Sequence, residues 1–221
     1  MITLLVLTDG RLPYLKATLE ATNKLMGPIT RRIIHDDSGD KEFAEVLNKR
    51  YGEHYEIYST GRRSGFGGAI ISAWKLLQHD NNPWVFHLED DFVIKEYIPL
   101  VEIATILDRY PHIVQMALLR QPCNEQEIKA GGFFNINPES YTEKDNGIHK
   151  WVEHRNFYTT NPSLYRKTLV DYGWPTGNSS EGKFAHKIFN SDSNLVSGYW
   201  GGIHDAPRVT HIGDYRNGAG Y

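Results

Sequence analysis

With 221 residues the chain is long enough to bury one sizeable core, and 40% hydrophobic and 12% aromatic residues exclude a disordered polymer. A formal net charge of −3 excludes a strong nonspecific grip on nucleic acid or on an anionic membrane surface. No apolar run approaches the roughly 20 residues of a membrane helix, and the lone Cys123 excludes an internal disulfide and a thiolate metal site, which points to a reducing cytoplasm.

The run from Ile2 to Thr8 predicts a first strand rather than a signal peptide, because no basic leader precedes it and Asp9, Gly10 and Arg11 follow at once. A helix is predicted from about Pro13, with Leu12, Leu15, Leu19, Thr22 and Met26 on one face. A strand over residues 32–35 ends in Asp36-Asp37-Ser38-Gly39. A helix around Phe43, Val46 and Leu47 leads to a strand over 55–59, which runs into Thr60-Gly61-Arg62-Arg63-Ser64-Gly65-Phe66-Gly67-Gly68. Next come a helix carrying Ile70, Ile71, Trp74 and Leu77, a strand from Trp84, a helix with Leu100, Ile103 and Leu107, and a strand over 113–119. Strands and helices in alternation predict an α/β fold, a central sheet flanked by helices.

Beyond Gln121 the pattern changes. Residues 121–155 are polar and aromatic, with Gly131-Gly132 and Asn146-Gly147 as turn signals, and predict hairpins or an excursion. Asn161-Pro162 predicts a helix start and Gly173 its stop, and a last helix is predicted from about Glu181 to Phe189. No repeat or linker divides the chain, so one domain over 1–221 is expected, residues 1–120 and 121–221 forming its two halves.

The most informative stretch is Trp84-Val85-Phe86-His87-Leu88-Glu89-Asp90-Asp91, a buried-strand pattern running directly into three carboxylates. Ligands of open α/β sheets gather beyond the carboxyl ends of such strands. Adjacent carboxylates repel, so a positive partner is expected, and hard divalent cations prefer oxygen ligands. This predicts a Mg²⁺ or Mn²⁺ site for a phosphorylated ligand; a plain polar loop is the competing account. The glycines of residues 61–68 permit close backbone approach, a helix amino end behind them offers N–H groups, and Arg62 and Arg63 suit phosphate oxygens. The pattern is neither a Walker loop nor a dinucleotide fingerprint.

In order along the chain, Leu7-Thr8-Asp9-Gly10-Arg11-Leu12-Pro13, Asp36-Asp37-Ser38-Gly39, Glu89-Asp90-Asp91, Asn161-Pro162-Ser163-Leu164-Tyr165-Arg166 and Gly173-Trp174-Pro175 with Glu181 resemble the GT-A fold glycosyltransferases, most like the inverting family 2 type. The resemblance implies a GT-A, Rossmann-like mixed sheet with a carboxy-terminal acceptor-side portion, and transfer of a sugar from a nucleoside-diphosphate sugar, a UDP-sugar first among them. It implies that Thr8, Asp9, Arg11 and Asp37 hold the nucleoside, with Asp36 either in support or capping a turn. Arg62, Arg63, Gly65, Asp90 and Arg216 join the donor site. Asp91 becomes the metal ligand, with Asp90 or Glu89 behind it, and His211 a second ligand against the competing His204; imidazole favours Mn²⁺ over Mg²⁺.

Inverting transfer needs a base at the acceptor hydroxyl. Glu181 matches the family's position, although Gly182 replaces the acid that usually follows, and a capping-box role beneath Asn178 competes. Asp171 and Asp192 are the next carboxylates, and Phe133, Trp151, Phe157, Tyr158, Trp174 and Trp200 are candidates for an acceptor wall or for core. A nucleotidyltransferase and a non-catalytic nucleotide- or glycan-binding relative remain alternatives. Glycans, small molecules, proteins and a hydroxylated nucleic-acid base all remain open as acceptors; Arg62, Arg63, Arg155, Arg166 and Lys167 would supply a local basic patch for the last.

Overall fold

The structure, a computed structural model, describes residues 1–213. Its strands are β1 (Ile2–Thr8), β2 (Leu25–Met26), β3 (Ile29–Asp36), β4 (Glu56–Ser59), β5 (Trp84–Glu89), β6 (Phe92–Ile94), β7 (Ile98–Pro99), β8 (Ile113–Ala117), β9 (Thr142–Asp145), β10 (Lys150–His154), β11 (Ser163–Arg166), β12 (Val196–Trp200) and β13 (Val209–His211). The helices are α1 (Leu12–Ala21), α2 (Lys41–Tyr51), α3 (Gly65–Leu77), α4 (Leu100–Arg109), α5 (Glu125–Ala130) and α6 (Ser180–Ser191). Nine strands form one mixed sheet in the order β4-β3-β1-β5-β11-β8-β12-β10-β9. No described helix is long and apolar enough to cross a membrane.

Every residue of β1 is buried, as expected of a parallel strand covered on both faces. Side chains alternate across it. Leu4 and Val6 meet Leu15 and Leu19 of α1 and Ile103 and Leu107 of α4. Leu5 and Leu7 meet Ile70 and Trp74 of α3 and Phe184 and Ile188 of α6. Parallel register sets Thr8 beside Asp36, Asp36 beside Ser59 and Leu7 beside Glu89. The carboxyl ends of β4, β3, β1 and β5 therefore finish on one edge, and the polar residues that follow them converge.

Two expectations are corrected. The segment after Asn161-Pro162 is not a helix: Ser163–Arg166 is β11, antiparallel between β5 and β8, and only the short 3₁₀ turn Lys167–Tyr172 follows before Gly173 at φ +66°. Leu164 and Tyr165 are fully buried there, so filling the centre of the sheet outweighed the local helix-start signal. Met26 leaves the α1 stripe, because the helix stops at Ala21 and Met26 is exposed in β2. The hairpin signal was sound: Asn146-Gly147 turns β9 into β10, while Gly131 closes α5, a helix not anticipated.

Candidate active site

Arg11 lies at the centre of the acidic cluster. Its guanidinium reaches Asp91 Oδ2 at 2.6 Å through Nη1 and Asp9 Oδ1 at 2.6 Å through Nε, and it also pairs with Asp90. Burial opposes the Arg11 charge, but Asp90 and Asp91 outweigh it and hold its pKa above the ordinary value. The positive partner demanded by three adjacent acids is thus supplied, in this state, by the chain itself. Asp90 also accepts from Thr8 Oγ1 at 2.6 Å; burial still pushes its carboxyl up to about 7. Burial pushes Asp91 the same way, yet hydrogen bonding from His211 and the Arg11 charge prevail and keep it below the usual carboxylate range. One acid of the pair is therefore firmly anionic.

The short antiparallel pairing of β13 with β6 sets His211 opposite Phe92, one residue past Asp91. Gln121 clasps the His211 backbone at both ends, accepting from its N–H and donating to its carbonyl, each at 2.8 Å. The imidazole stacks on Phe92 with ring centroids 4.5 Å apart, and Nε2 stands 3.4 Å from Asp91 Oδ2. His204, its rival, is exposed near Glu143. Gly213 passes so close to Asp91 that a Cβ there would collide with the carboxylate. Asp91 Oδ1 is buried without a hydrogen-bond partner. A free carboxylate oxygen beside an imidazole fits Mn²⁺ or Mg²⁺, which take few protein ligands and complete their shell with waters and phosphates. Among the described residues no group of three or more His, Cys, Asp or Glu is placed to hold a metal ion, so Asp91 and His211 stand as a pair.

Asp37, expected at the nucleoside, is buried and also anchors the glycine-rich loop. It accepts from Ser64 N at 2.9 Å and from the Ser64 hydroxyl. Asp36 caps its own turn by accepting from Ser38 N at 2.8 Å. A Cβ on Gly39 would lie 2.7 Å from Arg63 N, so only glycine lets the two loops touch. Arg63 reaches Asp9 at 3.0 Å and, with Gly65, lines a cleft of about 750 Å³ together with Thr8, Asp9, Arg11, Asp37 and Asp90. Arg62 is exposed and lies outside that lining. Arg216 lies outside the described residues.

Glu181 borders this cleft and a second cavity of about 330 Å³, and Glu89 and Phe66 are shared in the same way. The capping-box account is overturned: the residue before α6 is Ser179, left-handed at φ +55°, and it makes no side-chain cap. Glu181 instead accepts from Thr160 N at 2.7 Å and from Thr160 Oγ1 at 2.9 Å. Burial raises its pKa, outweighing those hydrogen bonds. Glu89 is pushed well above the usual range by burial, then by Asp91 and Glu181. Asp171 and Asp192 are exposed and line neither cavity. A non-glycine residue held left-handed at a cleft wall stores backbone strain, a feature concentrated at functional sites.

Of the candidate aromatics, Phe133 and Phe157 line the second cavity, while Trp151, Tyr158, Trp174 and Trp200 are buried in the core. Gln121, Thr160 and Gly213 were missed by sequence reasoning. Their contacts, in which backbone groups take part on one side or the other, join segments far apart in the chain, and no local pattern marks them.

The chain superposes on residues 1–349 of Staphylococcus aureus TarS with a TM-score of 0.61 at 16% identity, over 96% of this chain and 60% of that one. The UDP-GlcNAc complex of the same TarS fragment gives 0.59 at 16% identity, over 98% and 61%. Mannosyltransferase PcManGT from Pyrobaculum calidifontis, in complex with GDP-Man and Mn²⁺, gives 0.60 at 13% identity, over 86% and 51%. The fold is GT-A. The chain spans less than two thirds of the length of each of these structures. No family model matches the sequence, and no curated protein matches it either.

Proposed function

We propose that the chain is a metal-dependent, inverting glycosyltransferase that moves a sugar from a nucleoside-diphosphate sugar, a UDP-sugar first among them, to an acceptor hydroxyl. The observation that carries this is Glu181, a half-buried carboxylate of raised pKa on the wall between the cleft and the second cavity. Residues 1–120 form the donor and metal half and 121–221 the acceptor half. Thr8, Asp9, Arg11 and Asp37 face the nucleoside, while Arg63, Gly65 and the first turn of α3 face the diphosphate. Asp91 and His211 would hold Mn²⁺ or Mg²⁺, which when bound offsets the charge growing on the leaving diphosphate.

Glu181 takes the proton of the attacking hydroxyl. Its raised pKa makes it a stronger base than an exposed carboxylate, and Thr160 fixes one carboxylate oxygen. The other Glu181 oxygen remains for the acceptor. PcManGT and TarS support the donor class through the GDP-Man and UDP-GlcNAc in their complexes. The test is incubation with UDP-GlcNAc, UDP-glucose and GDP-mannose in Mn²⁺, with products separated by ion exchange. Released nucleoside diphosphate supports the proposal. Pyrophosphate release would show nucleotidyl transfer instead, and donor binding with neither product a non-catalytic relative.

A further inference from the structure

Two segments far apart in the chain hold the backbone of His211. β13 and β6 are three residues each, and a two-stranded ribbon that short is marginal by itself. Ile212 N donates to Asp91 O at 2.8 Å and Lys95 N to Arg208 O at 2.9 Å, so the alternation of an antiparallel ladder gives Arg208, Thr210 and Ile212 to β6. Val209 and His211 therefore turn their N–H and C=O groups the other way, towards the chain that leaves β8. Val209 meets that chain: its N–H donates to Leu119 O at 3.3 Å, and it forms a parallel bridge with Arg120.

Continuation of that bridge would aim the Gln121 carbonyl at the His211 N–H. The carbonyl instead accepts from Arg120 Nη1 at 2.9 Å, and the Gln121 side chain takes over its place. Oε1 accepts from the His211 N–H and Nε2 donates to the His211 carbonyl, each at 2.8 Å. A primary amide carries the donor and the acceptor that one residue's C=O and N–H require; a carboxylate lacks the donor and an ammonium the acceptor. Gln121 is itself fixed. Arg120 binds the buried Glu127 at 2.9 and 3.0 Å, and Glu127 also accepts from Cys123 N at 2.8 Å, so the chain on both sides of Gln121 is tied to one carboxylate.

We infer that Gln121 is a positioning residue for the metal site, fixing the backbone of His211 so that the imidazole stays beside Asp91. The inference rests on the proposed role of Asp91 and His211 as metal ligands and names what keeps the two in register. With the backbone held along both edges and the ring stacked on Phe92 at 4.5 Å, the imidazole has little freedom to turn, and Nε2 stands 3.4 Å from Asp91 Oδ2. Groups that orient a metal ligand from behind are worth roughly 10- to 100-fold in metal affinity. Gln121 does this through the ligand's main chain rather than through the ring.

The experiment uses the full chain with Mn²⁺ alone. Titration calorimetry compares the parent, Gln121→Met, His211→Ala and the double variant; methionine keeps the length of the side chain and removes the amide. Gln121→Met should weaken Mn²⁺ binding by roughly tenfold or more. In the His211→Ala background the same change should cost less than about twofold, because a residue that acts through His211 has nothing left to act on. Electron spin-echo spectroscopy of bound Mn²⁺ should show coupling to an imidazole nitrogen in the parent and a weakened coupling in Gln121→Met. Melting without metal reports whether each variant folds, and Gln121→Asn, whose amide is one methylene short of both His211 groups, enters the same cycle if Gln121→Met does not. Mn²⁺ affinity and nitrogen coupling left unchanged by loss of the amide, or an equal loss with and without His211, would overturn this inference alone. A parent that binds no Mn²⁺, or His211→Ala binding it as tightly as the parent, would overturn the assignment of His211 as a ligand and this inference with it.

Discussion

Replacing Arg11 by Gln tests whether the acidic cluster is a cation site with its own built-in occupant. Arg11 is only 18% exposed and meets Asp9, Asp90 and Asp91. One unit-charge pair at about 4 Å and an effective dielectric of about 20 is worth about 4 kcal/mol, and breaking a buried pair by removing one partner costs about 3 to 5 kcal/mol. Proton uptake limits the loss, because Asp90, already near 7, gains a proton once its cation is gone. A loss of about 3 kcal/mol in EDTA at pH 8 is therefore expected, or about 6 to 12 °C in Tm for a chain of this size. Metal should reverse it: with Asp91 Oδ2 released, Mn²⁺ should bind the variant at least about tenfold more tightly, and at 100 times Kd it restores about 2.7 kcal/mol. Urea melts with and without Mn²⁺, together with Mn²⁺ titration calorimetry, read both effects. A variant as stable as the parent in EDTA, or one with unchanged Mn²⁺ affinity, would refute the view that Arg11 and the metal compete for Asp91.

Asp91→Ala should abolish the Mn²⁺ dependence of donor binding in calorimetry while the far-ultraviolet spectrum is kept. Glu181→Gln should leave donor Kd unchanged and lower turnover by roughly 10² or more, because the amide keeps the Thr160 contacts but takes no proton; near-normal turnover would move the base elsewhere. Gly213→Ala should weaken Mn²⁺ binding with little change in Tm, since its Cβ meets the Asp91 carboxylate rather than the core. His87 and His154 are buried, and burial lowers each imidazole to about 4. The unfolded chain binds these protons from about 6.5 downward and the folded chain only from about 4, so stability falls as pH drops through that window, by about 3 kcal/mol per histidine. His154→Leu should flatten the acid limb of a stability–pH curve.

The order of the long strands and helices through residue 119 was legible because hydrophobic periodicity there is strong and each strand ends in a polar turn, whereas the short β2, β6 and β7 were not read. Thr8, Asp9, Asp37, Asp90 and Asp91 were identifiable for the same reason, since strand ends of a parallel sheet share one edge and a reader of the chain knows where they fall. The carboxy-terminal half was less legible. Ser163–Arg166 carries the local mark of a helix start and becomes a central strand, because the sheet left a place between β5 and β8 that only an extended apolar segment fills. Sequence marked Arg11 as a candidate donor contact and Asp91 as a candidate metal ligand; tertiary structure made the two an ion pair. It also decided between the two local readings of Glu181, base or helix cap, only so far as to remove the cap, by bringing Thr160 to bind its carboxylate. Residue types and periods determine which groups are present and which face is buried. Burial and the pairing of groups far apart in the chain decide their charge, and these exist only once the sheet has closed.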